Sequence, residues 1–373
     1  MKKIKLATIL GTRPEIIRLA ECIKLCDKYF EHILIHTGQN YDYELNEIFF
    51  EDLHLRKPDF FLNVAGKHLG ETIGNVISKS YEILLSEKPD ALLVLGDTNS
   101  VLSTIAAKRL KIPIFHMEAG NRCYDQNVPE EINRKISDHI SDINLTYTEH
   151  SRRYLLSEGF RKDHVFVTGS PLYEVLKKNE VKIQSSDVIE RLGLEKDNYM
   201  VVSAHREENI DLKNHFEILS ESLNTVAEKY KMPIIFSTHP RTKKRIENSN
   251  ITFNPLIKTV APLGFFDYVK LQQNAYVVLS DSGTISEESA MMRFSAVSIR
   301  TSTERPEAVD AGTIVLGGVS KDSMLNAIEI TKGLSIDSNS QLPLEYQISN
   351  TSERILKVIQ SYTPIVNKVI WDK

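Results

Sequence analysis

The sequence predicts an α/β fold built as two doubly wound parallel sheets, one in each half of the chain. Short apolar runs alternate with longer segments of helical character almost from end to end. The runs are continuously apolar, as in parallel strands buried on both faces. The alternation lapses once, near Gly169-Ser170-Pro171 and the polar stretch 181–187, and then resumes. In a chain of 373 residues that fits two domains of ~100–200 residues each.

The first strand is residues 4–10. Residues 13–27 read as a helix, with Pro14 near its start, where a missing N–H costs nothing. A strand at 32–36 and a helix near 43–53 follow, then a long helix over 69–85. Strand 91–95 runs through Gly96-Asp97 into helix 98–110, and strand 113–117 runs into Glu118-Ala119-Gly120. A helix begins at Pro129, followed by strand 142–145, helix 150–157 and strand 165–167. After the seam the expected strands are 199–203, 233–237, 256–260, 275–279 and 296–299. Helices fall near 212–229, 241–247, 265–273 and 285–292, and a last one near 352–369. The predicted domains are 1–170 and 171–351, with 352–373 as a closing helix. In doubly wound sheets ligands bind outside the carboxyl ends of the strands, and two such domains facing each other make a cleft.

Composition narrows the partners. The chain is 41% apolar and 26% charged, with a net charge of −4 and no basic stripe, so nucleic acid is not expected. No apolar run approaches the ~18 residues needed to cross a bilayer. Met1-Lys2-Lys3 and the apolar run after it lack a small-residue cleavage site, so no signal peptide is read there. Three cysteines, Cys22, Cys26 and Cys123, suit a reducing cytoplasm. Cys22 and Cys26 are read as buried structural thiols, and no metal site is expected.

The candidate chemistry lies at strand ends. Gly11-Thr12-Arg13-Pro14-Glu15 follows the first strand but lacks the G-x-G-x-x-G fingerprint, which removes the main support for a dinucleotide cofactor. Arg13 is either a phosphate ligand through its paired donors or a surface arginine at a helix start. Asp97 either caps the next helix or acts on a ligand. Glu118 has no helix start beside it to cap. Glu130 and Glu131 follow Pro129, where acidic residues favour a first helical turn, so at least one has that ordinary role. Asp97, Glu118 and Glu130 nevertheless come from neighbouring elements at one sheet edge, and clustered carboxylates supply a base and an acid from one residue type. In the second half, His205 and His239 end two strands. Ser280-Asp281-Ser282-Gly283-Thr284 runs into a helix whose N–H groups and dipole suit a diphosphate. Glu287 or Glu288, one turn in, suits a ribose diol.

Taken together these segments resemble the non-hydrolysing UDP-N-acetylglucosamine 2-epimerase family nearly end to end. The resemblance rests on Gly11-Thr-Arg-Pro-Glu15, Gly96-Asp-Thr98, Glu118-Ala-Gly120, Pro129-Glu-Glu-Ile-Asn-Arg134, His205-Arg206, Asp281-Ser-Gly283, Glu287-Glu288 and Thr303-Glu-Arg-Pro-Glu307. It implies a glycosyltransferase-B-like pair of Rossmann-like domains, with the closing helix crossing back to the first, and a homodimer. It implies Asp97, Glu118, Glu130 and His205 as catalytic residues. Arg13, Arg18, Arg134, His239, Ser282, Gly283, Thr284 and Glu288 are implied in substrate binding. Two positions depart from the common pattern. Arg18 stands where the family usually has lysine, exchanging a compact ammonium for a planar fork. Asn40 stands where bacterial UDP-N-acetylglucosamine epimerases tend to have histidine, in a segment of their allosteric site. With Asn121–Asn127, these features resemble the branch that makes UDP-N-acetyl-L-fucosamine for bacterial capsule or O-antigen.

The chemistry this implies suits the residues. A sugar C2–H has no adjacent carbonyl to acidify it. Loss of UDP from C1 makes that hydrogen removable, through a 2-acetamidoglycal with UDP held nearby. Such a route asks for carboxylates and for cations on the leaving diphosphate, with neither NAD nor an obligatory metal. A UDP-sugar glycosyltransferase on the same architecture is the main alternative, but it needs an acceptor site.

Overall fold

The computed structural model describes residues 3–39, 43–126, 128–206, 213–238, 240–249, 251–334 and 341–373. The chain forms two compact units, 1–178 with 347–373, and 179–346.

In the first unit the described strands are β1 (Lys5–Leu10), β2 (Glu31–His36), β3 (Phe60–Phe61), β4 (Ala91–Leu95), β5 (Ile114–Met117), β6 (Ile143–Thr146) and β7 (Val165–Val167). They form one parallel sheet in the order β3-β2-β1-β4-β5-β6-β7. The helices between them are α1 (Arg13–Tyr29), α2 (Tyr43–Asp52), α3 (Leu69–Glu87), α4 (Ser103–Arg109), α5 (Pro129–Ile140), α6 (Glu149–Ser157) and α7 (Pro171–Lys178). Every residue of β4 is buried, as the continuous apolar run requires. One layer of core joins Ala7, Ile9, Leu92, Val94 and Ile114 of the sheet to Val76 and Leu84 of α3 and Ala106 and Ala107 of α4. The order reverses between β1 and β4, so the crevice of this sheet opens where Gly11 and Gly96 leave their strands.

The second unit begins with α8 (Glu180–Gln184) and α9 (Val188–Arg191). Its strands are β8 (Met200–Ser203), β9 (Ile234–Ser237), β10 (Ile257–Val260), β11 (Val277–Ser280), β12 (Ala296–Ser298) and β13 (Val315–Leu316). They pair in parallel in the order β10-β9-β8-β11-β12-β13. The remaining helices of this unit are α10 (Lys213–Tyr230), α11 (Pro240–Glu247), α12 (Phe265–Gln273), α13 (Ile285–Met292), α14 (Pro306–Asp310) and α15 (Lys321–Gly333). Val202, Phe236, Leu279 and Val297 pack on Phe216, Leu223 and Val226 of α10 and on Met324 and Ile328 of α15. Here the order reverses between β8 and β11.

The architecture is the expected pair of parallel α/β sheets, with differences in detail. Two short helices, α8 and α9, lie in and just after the polar stretch, and the units divide after Lys178 rather than at Gly169–Pro171. Pro171–Lys178 is a helix that packs on α1 and so stays with the first unit. β3 and β13 are two residues each, too short to show a period. The closing helix α16 (Thr351–Ile370) lies against α1 and α7. Its start is pinned by Glu174, whose carboxylate accepts from the Ser352 N–H at 2.9 Å and the Ser352 hydroxyl at 2.6 Å and pairs with Lys178 at 3.0 Å. Cys22 and Cys26 are buried in α1, and burial pushes both thiols up, which keeps them inert. No described helix is long and apolar enough to cross a membrane.

Glu174→Ala removes the acceptor from two donors of Ser352 and a charge partner from Lys178. The expected cost is about 2 kcal/mol. Amide hydrogen exchange should accelerate through the first turns of α16, and unchanged protection there would show that the helix is held by its apolar face alone.

Candidate active site

The first unit gathers charge at the ends of β1, β4 and β5. Gly11 is needed because a Cβ there would lie 1.9 Å from Thr37 Oγ1 and 2.7 Å from Ser100 Oγ. Arg13 opens α1 and is exposed, its guanidinium 5.7 Å from the centre of the Phe49 ring. Glu15, one turn in, is buried. Its Oε2 accepts from Gly11 N (3.1 Å), Thr12 Oγ1 (2.7 Å), Thr98 Oγ1 (3.1 Å) and Ser100 Oγ (3.3 Å). Its Oε1 is buried with no hydrogen bond among the described residues. Burial pushes this carboxyl up to about 7, against the lowering pull of its donors.

β4 ends at Leu95, and Gly96, with a φ of +74°, turns the chain sharply into Asp97. Asp97 does not cap the turn that follows. That part falls to Thr98, whose hydroxyl accepts from Ser100 N. The Asp97 carboxylate meets Arg134 Nη2 at 2.5 Å, and its carbonyl accepts from Asn133 Nδ2 at 3.0 Å. On the adjacent strand, Glu118 takes a left-handed φ of +63° and is buried. Its carboxylate pairs with Arg18, accepts from Tyr147 Oη at 3.2 Å and lies 3.4 Å from Asn121 Nδ2. The Arg18 guanidinium stacks over the Tyr147 ring.

Glu130 and Glu131 both lie in the first turn of α5, and they differ in burial. Glu131 is 1% exposed, and its carboxylate accepts from Cys123 N (3.2 Å), Tyr124 N (3.3 Å) and Arg134 Nη1 (2.5 Å). Glu130 is half-buried. Arg134, itself buried, thus bridges Glu131 and Asp97.

The second unit has its own strand-end cluster. Asp281, fully buried, accepts from the backbone N–H groups of His205 (3.0 Å) and Arg206 (3.0 Å), so the ends of β8 and β11 are tied together. The exposed His205 ring has Nδ1 3.2 Å from Asp281 Oδ1. Ser282 and Thr284 share a hydroxyl contact of 2.9 Å at the start of α13, and the Thr284 side chain at its N-cap makes no capping hydrogen bond. A Cβ on Gly283 would stand 3.3 Å from Arg206 Nη2 and 3.4 Å from Glu304 Oε2. Both oxygens of Glu288 are engaged, one by Thr284 Oγ1 (2.5 Å) and one by Gln272 Nε2 (2.8 Å). Glu287 is the buried member of that pair and meets Arg305 at 2.8 Å. His239, Asn40 and Asn127 lie outside the described residues. Among the described residues no group of three or more His, Cys, Asp or Glu side chains is arranged to hold a metal.

Four residues of these clusters carry no separate assignment in the sequence reading: Glu15, Asn121, Tyr147 and Asp281. Asn121, Tyr147 and Asp281 lie just after strand ends, so the rule that drew attention to Asp97 and Glu118 reaches them as well, whereas Glu15 lies in the first turn of α1.

Residues 24–360 match the model of the family described as UDP-N-acetylglucosamine 2-epimerase. This chain belongs to that family. It is similar to the structure of UDP-N-acetylglucosamine 2-epimerase from Rickettsia bellii, with 46% identity, 100% of both chains covered and a TM-score of 0.92. It is similar to the Methanocaldococcus jannaschii UDP-GlcNAc 2-epimerase in complex with UDP-GlcNAc and UDP, with 36% identity, 96% of this chain and 100% of that one covered, and a TM-score of 0.90. It is also 31% identical over 360 residues to the UDP-2,3-diacetamido-2,3-dideoxy-D-glucuronate 2-epimerase of Pseudomonas aeruginosa, covering 95% of this chain and 99% of that one. Like the rest of this family the chain is an isomerase, a UDP-sugar 2-epimerase.

Glu15 gives the fold a pH dependence of known sign. Its carboxyl is raised above the unfolded value, so the folded state holds a proton that the unfolded state has released. The stability this adds is complete below about 4.5 and is lost as pH rises through about 7. Glu15→Gln lacks this loss. Its melting temperature relative to the parent chain should therefore climb between pH 5 and pH 8, and a relative melting temperature that falls over that range contradicts the assignment.

Proposed function

We propose that the chain inverts C2 of a UDP-2-acetamido sugar by elimination and re-addition of UDP. The C1–O bond to UDP breaks and the C2 proton passes to a carboxylate, giving a 2-acetamidoglycal and UDP. A proton is then delivered to the other face of C2, and the UDP oxygen re-forms the bond to C1. The observation that carries this reading is the pair Asp97 and Glu118 at the ends of adjacent strands, each paired with a different arginine, Arg134 and Arg18. Two carboxylates held by separate cations remain distinct in environment, which acid and base roles on opposite faces of one carbon require. Glu130 and His205 complete the catalytic set, with Arg13 and His239 on the nucleotide side. Ser282, Gly283 and Thr284 at the start of α13 hold the diphosphate, and Glu288 lies one turn on.

The substrate we favour is UDP-2-acetamido-2,6-dideoxy-L-talose, giving UDP-N-acetyl-L-fucosamine. Arg18 and Asn121 support it, because both meet the Glu118 carboxylate and both belong to the features that carry the resemblance to that branch. A donor without a 6-hydroxyl asks for apolar surface where a D-gluco donor asks for a polar partner. The second reading is UDP-N-acetylglucosamine to UDP-N-acetylmannosamine, favoured by the names of the Rickettsia and Methanocaldococcus relatives. A homodimer working in the cytoplasm belongs to the same proposal.

Asp97→Asn, Glu118→Gln and Glu130→Gln should each lower kcat by ~10²-fold or more, the usual scale of general acid–base contributions. UDP affinity by calorimetry should change far less. Collapse of UDP binding with turnover per bound substrate intact would remove these residues from the chemistry.

The two donors are separated by kcat/KM and by turnover in D2O. The favoured reading expects deuterium at C2 of an L-fuco product that is still joined to UDP, and little conversion of UDP-N-acetylglucosamine. Equal or faster turnover of UDP-N-acetylglucosamine selects the second reading, and free sugar or a requirement for an acceptor rejects both.

A further inference from the structure

His116 lies in β5, two residues before Glu118, and its side chain is fully buried. Its ring nitrogens face two oxygens, Nε2 at 2.7 Å from the Gly96 carbonyl and Nδ1 at 2.9 Å from Asp138 Oδ1. A carbonyl and a carboxylate have no hydrogen to give. A neutral imidazole has one N–H and one bare lone pair, so either tautomer would set a bare nitrogen against a bare oxygen. The imidazolium satisfies both. The alternative, a protonated Asp138 donating to a neutral ring, is opposed by the other groups on that carboxylate. Arg122 Nη1 donates to it at 2.7 Å and Gly120 N at 3.2 Å. Complete burial pushes the Asp138 carboxyl up, and His116 and Arg122 overcome this and hold it below its ordinary value. Arg122 in turn grips Glu158 through two bonds of 2.8 and 2.7 Å. The imidazolium and Arg122 of the loop after β5 then balance Asp138 of α5 and Glu158 at the end of α6, two cations against two anions.

The placement gives this cluster a task. Gly96 immediately precedes Asp97, and Gly120 follows Glu118 by two residues. One chain of hydrogen bonds therefore runs from the Gly96 carbonyl through His116 and Asp138 to the Gly120 N–H, joining the backbone of both carboxylate-bearing turns. We infer that His116 is a positioning residue for the epimerisation, a doubly protonated ring that fixes the spacing of the Asp97 and Glu118 turns without touching substrate. This rests on the roles proposed above for those two carboxylates.

The protonation is read on the unaltered protein with 15N-labelled histidine. At pH 7.5 the His116 ring, identified by its proximity to Phe115 and Met117, should show hydrogens on both nitrogens, and a ring with one bare nitrogen overturns the inference. The positioning is read on His116→Gln, which keeps one amide donor, and on Asp138→Asn, which keeps the shape and removes the charge. Each should lower kcat by ~10- to 100-fold, the scale of a small misplacement of reacting groups. KM and UDP affinity should stay within about threefold, and in the Asp138→Asn protein the His116 ring should carry a single N–H. Wild-type kcat in a folded His116→Gln protein, or a fall in UDP affinity equal to the fall in kcat, overturns it. If neither variant folds, the spectrum of the unaltered ring decides. An unaltered protein that forms no epimer contradicts the proposed function instead, and leaves the ring spectrum to be judged separately.

Discussion

All strands of each described sheet run the same way, and the polar chemistry of the molecule follows from that. A parallel strand leaves the sheet with its last carbonyls and the next N–H groups unpaired, so each carboxyl edge collects loops that must satisfy backbone groups with side chains. Where the strand order reverses, adjacent loops part in opposite directions and leave room between them. In the first unit that place lies between Gly11 and Gly96, and in the second between Ala204 and Asp281. The carboxylates found there are held by the sheet edge itself. Glu15 gathers Gly11, Thr12, Thr98 and Ser100, and Asp281 gathers the two N–H groups that follow β8.

Holding acids in such a place is costly, and the molecule offsets the cost locally. Glu118 is a buried anion in a left-handed backbone conformation, a strain of roughly 1–3 kcal/mol. It persists because the Arg18 guanidinium, the Tyr147 hydroxyl and the Asn121 amide meet its carboxylate. The planar fork of Arg18 also stacks on Tyr147, a contact that a lysine ammonium would make in a different shape. Asp97 is the more exposed of the two, and its partner Arg134 is shared with Glu131. The same two strands thus present one acid that is enclosed and one that is partly open to solvent.

Much of this was legible in the sequence because the strands are buried on both faces and therefore read as unbroken apolar runs. Residues such as Ala91–Leu95 fix both the sheet and the place where its chemistry begins. What was not legible has physical reasons. β3 and β13 have two residues each and no period to detect. α8 and α9 have five and four residues, too few to show a helical period. Glu130 and Glu131 are chemically identical neighbours on α5, and only the roughly 100° step between helical residues decides which is buried against Cys123 and Tyr124. In sequence Asp97 reads either as a cap or as an acid facing a ligand, and the capping hydrogen bond is made by Thr98 beside it. The ring of His116 is hidden in an apolar strand, where its sequence neighbours say nothing of Asp138 twenty-two residues on.

The closing helix has a consequence for synthesis. The chain leaves its first compact unit after Lys178 and returns to it only at Gln347. On a ribosome adding ~5–20 residues per second, the intervening stretch delays α16 by roughly 10–30 seconds. Through that interval α1 is out of the exit tunnel with the face destined for α16 uncovered, and the Glu174 carboxylate has no Ser352 to receive. The second unit is one continuous segment and has no such wait, so it can complete its fold before the unit that precedes it. The order of birth along the chain and the order of maturation are reversed, and the face of α1 that meets α16 stays uncovered until Thr351–Ile370 emerge.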